Sequence, residues 1–219
     1  MSTTLDIQHC IEGAAAYGIT LDDIARERLL LFYSELLEWN GRMNLVSKAD
    51  MERFSGYHVL DSLKIAPIID FPSIRRILDF GSGAGLPGIP LAIAFPHLEV
   101  TLVDSKEKRC SFLDHIVNLL PGLDITVMRS RIEDVPTSHN RKFNCVVTRG
   151  TTSLVQFAFW CERFVGRRGK LCSIKGDNIK NELSDLKTCS LSSVFNISST
   201  IPESVTGVRS GTVVVMRKR

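Results

Sequence analysis

The sequence is first informative for what it lacks. No apolar run in its 219 residues approaches the roughly 18 that a membrane-spanning helix requires, so no membrane association is expected. The opening residues, Met1-Ser2-Thr3-Thr4-Leu5-Asp6, lack a basic segment followed by an apolar one. A secretory signal is therefore not expected, and a cytoplasmic location is. The cysteines, Cys10, Cys110, Cys145, Cys161, Cys172 and Cys189, form no C-x-x-C pair, which excludes a zinc clip or a thioredoxin-type redox motif. Cys145 and Cys172 sit inside apolar runs, where a free thiol packs as a small hydrophobe. There is no H-E-x-x-H and no phosphate-loop lysine, so no metal site is expected. Repeats, low-complexity tracts and long linkers are also absent.

Hydrophobic residues make up 44% and charged residues 23%, a balance that can bury a core and argues against disorder. The length suits one domain with a small appendage, and a monomer is expected. The net charge of +3 conceals an asymmetry. Residues 1–140 carry 13 Lys and Arg against 19 Asp and Glu, whereas residues 141–219 carry 14 against 5. A basic segment of this kind suits a phosphate-rich partner, or is a solvated face. Arg167, Arg168, Lys175 and Arg209, with Arg42 and Arg53, are candidate phosphate contacts, while Arg217, Lys218 and Arg219 read as a solvated tail.

Residues 1–70 read as a helical extension and 71–219 as an α/β domain. Leu29, Phe32, Tyr33, Leu36 and Leu37 follow helical spacing, which predicts a helix from about Leu21 to Trp39. Thr20-Leu21-Asp22-Asp23 has the form of a capping box at its start, and Asn40-Gly41 can end it. A second helical pattern runs from about His58 to Ile69. Strands are predicted at Arg76–Phe80, Glu99–Asp104, Asp124–Met128, Phe143–Thr148, Lys170–Lys175, Val194–Thr200 and Thr212–Met216. The first five are separated by segments long enough for crossover helices, such as Gly88–Phe95 and Lys106–Leu120, which implies a parallel sheet. The link from Ile201 to Gly211 is too short for a crossover, so the last two strands should be antiparallel.

The chemistry concentrates between Ile77 and Asp104. Gly81, Gly83, Gly85 and Gly88 follow an apolar strand and precede a helix, and Pro87 and Pro90 fit that helix's first turn. Glycines there let the backbone turn sharply and approach a ligand. Two frames compete. Gly83-x-Gly85-x-x-Gly88 matches the dinucleotide fingerprint, with Asp104 about 20 residues on. Asp79-x-Gly81-x-Gly83-x-Gly85 puts a glycine directly after the strand and also uses Asp79. This second frame resembles motif I of the class I methyltransferases that use S-adenosylmethionine (SAM), in which Asp104 would hold the SAM ribose hydroxyls.

The resemblance extends beyond the glycines. Trp39-Asn40 with Asn44-Leu45, His58-x-Leu60-Asp61-Ser62, Gly81 to Leu91, Asp104-Ser105 with Lys108-Arg109 and Phe112-Leu113, Ser130 to Glu133, and Lys175-Gly176 are similar to the RsmG/GidB family. That resemblance implies a Rossmann-like SAM-methyltransferase fold with a mostly parallel seven-stranded sheet, and N7 methylation of a guanine in bacterial 16S ribosomal RNA. It implies SAM contacts at Asp79, Gly81, Gly83, Gly85, Leu86, Asp104, Ile132, Glu133 and Arg149. The partner would be 16S rRNA, the small ribosomal subunit or its assembly intermediate. Leu86 and Ile132 are apolar, as a surface for adenine requires, and Arg149 closes a strand, where it would reach SAM or an RNA phosphate. Gly150 stands where the family usually has alanine, which predicts a looser loop over Gly150-Thr151-Thr152.

Further absences narrow the chemistry. No Pro-Cys dipeptide supplies the nucleophile for methylating pyrimidine C5, and no Asn/Asp-Pro-Pro-aromatic motif supports exocyclic-amine methylation. His58, Asp61, Arg149 and Lys175 are candidates for positioning substrate, and no catalytic base is assigned. His58 and Asp61 share a helix face at i, i+3, so they read either as an acid–base pair or as a bond locking the N-terminal part to the sheet. Two rivals stay open, an NAD-dependent oxidoreductase and a SAM-binding, RNA-binding module without catalysis. The chain lacks the Tyr-x-x-x-Lys pair that would serve the first.

Overall fold

The computed structural model describes residues 5–176, 179–200, 202 and 205–219. Residues 1–4 of the opening stretch, from which a secretory signal was not expected, and part of the Ile201–Gly211 connection lie outside the described residues. The strands are β1 (Arg76–Phe80), β2 (Glu99–Asp104), β3 (Asp124–Arg129), β4 (Phe143–Arg149), β5 (Val165–Lys175), β6 (Phe195–Thr200) and β7 (Thr212–Lys218). They form one sheet of order β3-β2-β1-β4-β5-β7-β6. Pairing is parallel from β3 to β5, and β7 runs antiparallel to both β5 and β6. The helices are α1 (Ile7–Ala16), α2 (Asp23–Met43), α3 (Lys48–Met51), α4 (Asp61–Leu63), α5 (Gly88–Ala94), α6 (Glu107–Asn118), α7 (Leu154–Cys161) and α8 (Lys180–Thr188).

Alternation along the strands divides two cores. Ile77, Cys145 and Val147 face a cluster built with Leu29, Phe32 and Leu36 of α2 and Phe112 and Leu113 of α6. Leu78, Phe80 and Val146 face the other side, against Leu154 and Phe157 of α7. Residues two apart on a strand share a face, so this division follows from the pleat. Cys145 and Cys172 are fully buried free thiols, and burial raises both thiol pKa values.

Several predicted elements are corrected. The long helix starts two residues later than expected, because Asp22 and not Thr20 is its N-cap, accepting from Ala25 N at 2.7 Å. It runs past Asn40-Gly41 to Met43 and ends on Asn44, which adopts φ 50°. Asn40 has a different task, since its side chain bonds both the N–H and the C=O of Val46 at 2.8 Å. That reciprocal pair pins the segment 44–47, which walls the site.

The segment predicted as a helix from His58 to Ile69 is instead a π-helical turn, Ser55–Leu60, followed by α4 and turns. The wider turn has a tertiary cause. Gly56 packs against the backbone of Gly207, where a Cβ would lie 2.1 Å from the carbonyl oxygen. His9 of α1 bonds Ser55 Oγ at 3.0 Å and the Thr206 carbonyl at 2.6 Å in the same seam. The C-terminal residues are not a solvated tail, because β7 continues through Lys218. Lys218 pairs with the Glu162 carboxylate and donates to the backbone carbonyls of Glu162 at 3.1 Å and Val165 at 3.2 Å, and Arg219 bonds Asn196.

Candidate active site

The strand order reverses between β1 and β4, and in an open parallel sheet a crevice forms beyond the carboxyl ends there. A cavity of about 460 Å³ occupies this position, lined by Gly81, Gly83, Leu86, His58, Arg149 and the segment Leu45–Ser47 among others. A second lobe of about 210 Å³ adjoins it through Gly81, Arg109 and Thr151, and is lined by Asp104, Ile132, Glu133 and Trp160.

The glycine loop is built as the sequence requires. Gly81 has φ 71°, and a Cβ there would lie 2.6 Å from Thr151 Cγ2, so the first glycine admits the loop that closes over it. Gly88 opens α5 so close to the sheet that a Cβ would lie 2.4 Å from Leu102. Its N–H donates to Asp79 Oδ2 at 2.9 Å. Asp79 is completely buried beneath the loop and lines neither lobe. Burial raises its carboxyl to about 7, with the Gly88 N–H pulling the other way, and its Oδ1 has no partner among the described residues.

Asp104 ends β2 facing the smaller lobe. Its Oδ2 accepts from Gly83 N at 3.0 Å and from Arg109 at 3.2 Å, and its Oδ1 from Lys106 N at 2.9 Å. Ile132 and Glu133 follow β3 on the opposite wall. Their carbonyls, with that of Val135, accept from the Arg163 guanidinium at 2.8–3.3 Å, so one side chain holds the whole turn.

Arg149 is the hub of the larger lobe's far wall. Its guanidinium donates to Tyr57 O at 2.9 Å, Asp61 Oδ2 at 3.1 Å and His58 Nδ1 at 2.8 Å. Asp61 is buried and also pairs with Lys64 at 2.6 Å. A guanidinium only donates, so Nδ1 of His58 accepts and the ring's proton sits on Nε2. Burial, then the Arg149 charge, lowers His58 to about 3. The imidazole is therefore neutral at physiological pH. Among the described residues no hydrogen bond joins His58 to Asp61; both are bonded to Arg149, which ties their segment to β4.

Of the predicted residues, Gly81, Gly83, Leu86, His58 and Arg149 meet in the larger lobe, and Gly81, Asp104, Ile132 and Glu133 in the smaller. Leu86 and Ile132 thus serve different lobes. Gly85 lies outside both, packed on Ile89. Lys175 donates to the Thr152 carbonyl and pairs with Glu182 at 2.9 Å, so its charge is used inside the protein. That tie, with Thr151 Oγ1 bonded to Thr148 Oγ1 at 2.7 Å, fastens the loop predicted to be loose. Gly150 itself takes φ 62°, a conformation that favours glycine over alanine. Trp160, Arg163 and the Leu45–Ser47 wall were not predicted. Only Asn44-Leu45 carried a signal, as part of the family pattern.

Fold and cavity together define a class I SAM-type methyltransferase architecture. The tRNA (m1A58) methyltransferase TrmI from Aquifex aeolicus superposes with a TM-score of 0.52 at 15% identity, over 66% of this chain and 62% of that one. The profile of the GidB family, rRNA small subunit methyltransferase G, matches residues 25–209. Ribosomal RNA small subunit methyltransferase G of Syntrophus aciditrophicus is 36% identical over 178 residues, 80% of this chain and 73% of that protein. Its namesake from a Roseiflexus species is 34% identical over 211 residues, 95% and 89% of the two chains. The chain belongs to the rRNA small subunit methyltransferase G family. Membership decides between the two glycine frames in favour of the methyltransferase.

Asp79 yields a stability prediction. A carboxyl raised to about 7 keeps a proton in the native state that the unfolded chain has released. Stability from this group is full below its ordinary pKa of 3.8 and is lost as pH rises towards 7. Asp79→Asn retains an oxygen for Gly88 N and removes the titration. Its melting temperature should therefore gain on the parent's as pH rises from about 4 to about 7, then hold a constant gap above. A gap independent of pH would contradict a buried titrating carboxyl.

Proposed function

We propose that the chain transfers the methyl group of SAM to N7 of a guanine in bacterial 16S rRNA, acting in the cytoplasm as a monomer on the small ribosomal subunit or its assembly intermediate. The observation that carries this reading is the two-lobed cavity at the sheet's switch point, with the glycine loop and Asp104 on one wall and a neutral, tethered imidazole on the other.

The residues fit SAM. The smaller lobe sets an apolar side chain, Ile132, and the indole of Trp160 where a flat heterocycle can lie, and it carries the Asp104 carboxylate to accept from ribose hydroxyls. Bound hydroxyls would compete with Arg109 for Asp104 Oδ2. The absent Cβ at Gly81 admits Thr151, and the two residues together border both lobes. Asp79 and Gly85 act one layer below, fixing the loop. When bound, SAM supplies a methyl group already activated by its sulfonium.

Guanine N7 has an in-plane lone pair and no proton, so the chain needs no general base. Its task is to orient the base, which is an effect of placement. Of the ionisable groups lining the larger lobe, His58 is neutral and Arg109 and Arg149 are cations. Asp50 is engaged by Arg53 at 3.4 Å. The Nε2–H of His58 is buried and has no hydrogen-bond partner among the described residues.

Cofactor choice is checked by melting. SAM and S-adenosylhomocysteine at about 100 times their dissociation constants should each add about 2.7 kcal/mol of stability, with NADH adding nothing. Asp104→Ala should remove most of that gain. Stabilisation by NADH alone would refute the reading. The target atom is checked with rRNA carrying 7-deazaguanine at the modified position, which removes the nucleophile and little else. We expect no methyl incorporation there, and continued transfer would exclude N7.

A further inference from the structure

The cations predicted to form one phosphate surface are split between the two ends of the sheet. Arg209 lies in the β6–β7 connection, at the end that holds the cavity. Arg167 and Arg168 lie at the other end, where β4 and β5 begin. The strand β4 spans seven residues, so the two ends are on the order of 20 Å apart.

At that far end is a separate cavity of about 380 Å³, whose lining includes Arg141, Lys142, Arg167, Arg168, Lys170 and Arg217. It contains six cationic side chains and no acid. Among the described residues, none of the six has an ion-pair partner. The neighbouring cations are handled differently, since Arg75 and Arg76 share Glu99, and Lys218 takes Glu162. No acidic side chain lines this pocket.

The fold holds the pocket open at some cost. The pairing of β4 with β5 shifts register between Phe143 and Cys145, so that Val165 opposes Phe143 while Lys170 opposes Cys145. The extra residues Gly166-Arg167-Arg168-Gly169 bulge from the ladder and present two arginines at the rim. Three non-glycine residues in the described chain have positive φ, and two of them, Arg141 (56°) and Arg168 (65°), are in this lining. A left-handed arginine is strained, and such strain collects where function holds it.

We propose that this pocket is a second RNA site, binding backbone phosphates of the rRNA about one sheet's depth from the reacting guanine. The proposal rests on the rRNA substrate put forward above. The concave, acid-free lining suits a phosphate chain, and counterion release on contact supplies the affinity. Such a contact adds to the binding of the substrate RNA and leaves the transfer step at the distant cavity unaltered.

The test uses the full chain with Lys142→Ala, Arg167→Ala and Arg217→Ala combined. All three side chains are exposed, and the left-handed residues are left intact. Binding of unmodified 16S rRNA transcript is measured across a salt series, with single-turnover methylation alongside. The variant should bind about tenfold or more weakly at moderate salt, with its log–log salt slope reduced by about 2. KM for RNA should rise while kcat and SAM affinity stay unchanged. A version with Arg167→Lys and Arg217→Lys, keeping Lys142, should bind as the parent does, which separates lost charge from lost folding. An unchanged RNA affinity and salt slope would overturn the proposal. So would loss of binding to phosphatidylserine vesicles with rRNA binding retained. If the parent chain fails to methylate rRNA yet the variant still loses RNA binding, the substrate reading falls and the second site stands.

Discussion

The arrangement around the site depends on one side chain, the guanidinium of Arg149. It stands at the carboxyl end of a central strand and donates to three acceptors in the segment Tyr57–Asp61, some ninety residues earlier in the chain. The buried Asp61 carboxylate is shared between Arg149 on one oxygen and Lys64 on the other. Asp61 is almost fully buried, so the segment is held in the one geometry that satisfies it. That tether fixes the far wall of the larger lobe, and the Arg149 charge adds to burial in keeping His58 neutral. Arg149 is consequently a builder of the wall, which leaves less of its charge for cofactor or RNA than its position at a strand end implies.

The sheet separates two kinds of work. At the carboxyl ends, glycines let the backbone itself form the site, and buried groups such as Asp79 and Gly85 support it from beneath. At the amino ends, six cations line a pocket that holds no acid, while their neighbours Arg75, Arg76 and Lys218 are paired. The charge asymmetry between the two parts of the sequence is therefore real in space, but it is not one continuous surface. Lys175, which belongs to the basic part, is consumed by Glu182 and a carbonyl. Charge counts cannot register such pairings.

The strands were the most legible part of the sequence. β1 and β2 have the predicted bounds because buried parallel strands are short apolar runs with clear punctuation. The glycine loop was legible because φ and close approach restrict the residue type. The start of β5 was missed, since a bulge of Gly and Arg does not look like strand. The α7 sequence, LVQFAFWC, is apolar on nearly every side and shows no period to read. The π-helical turn was invisible for a different reason, as its cause is a partner on β4 and a glycine at position 207. Trp160 and Arg163 reach the site from the segment after β4, and no local pattern announces them.

The account turns on His58 being a neutral acceptor of the Arg149 hydrogen bond, with no proton to exchange near physiological pH. The most direct measurement is the imidazole nitrogen and carbon chemical shifts of His58, followed by NMR from about pH 5 to 8. The account predicts a single neutral tautomer, protonated on Nε2, with no titration in that range. A titration midpoint near the ordinary histidine value of about 6.5, or a proton on Nδ1, would contradict it.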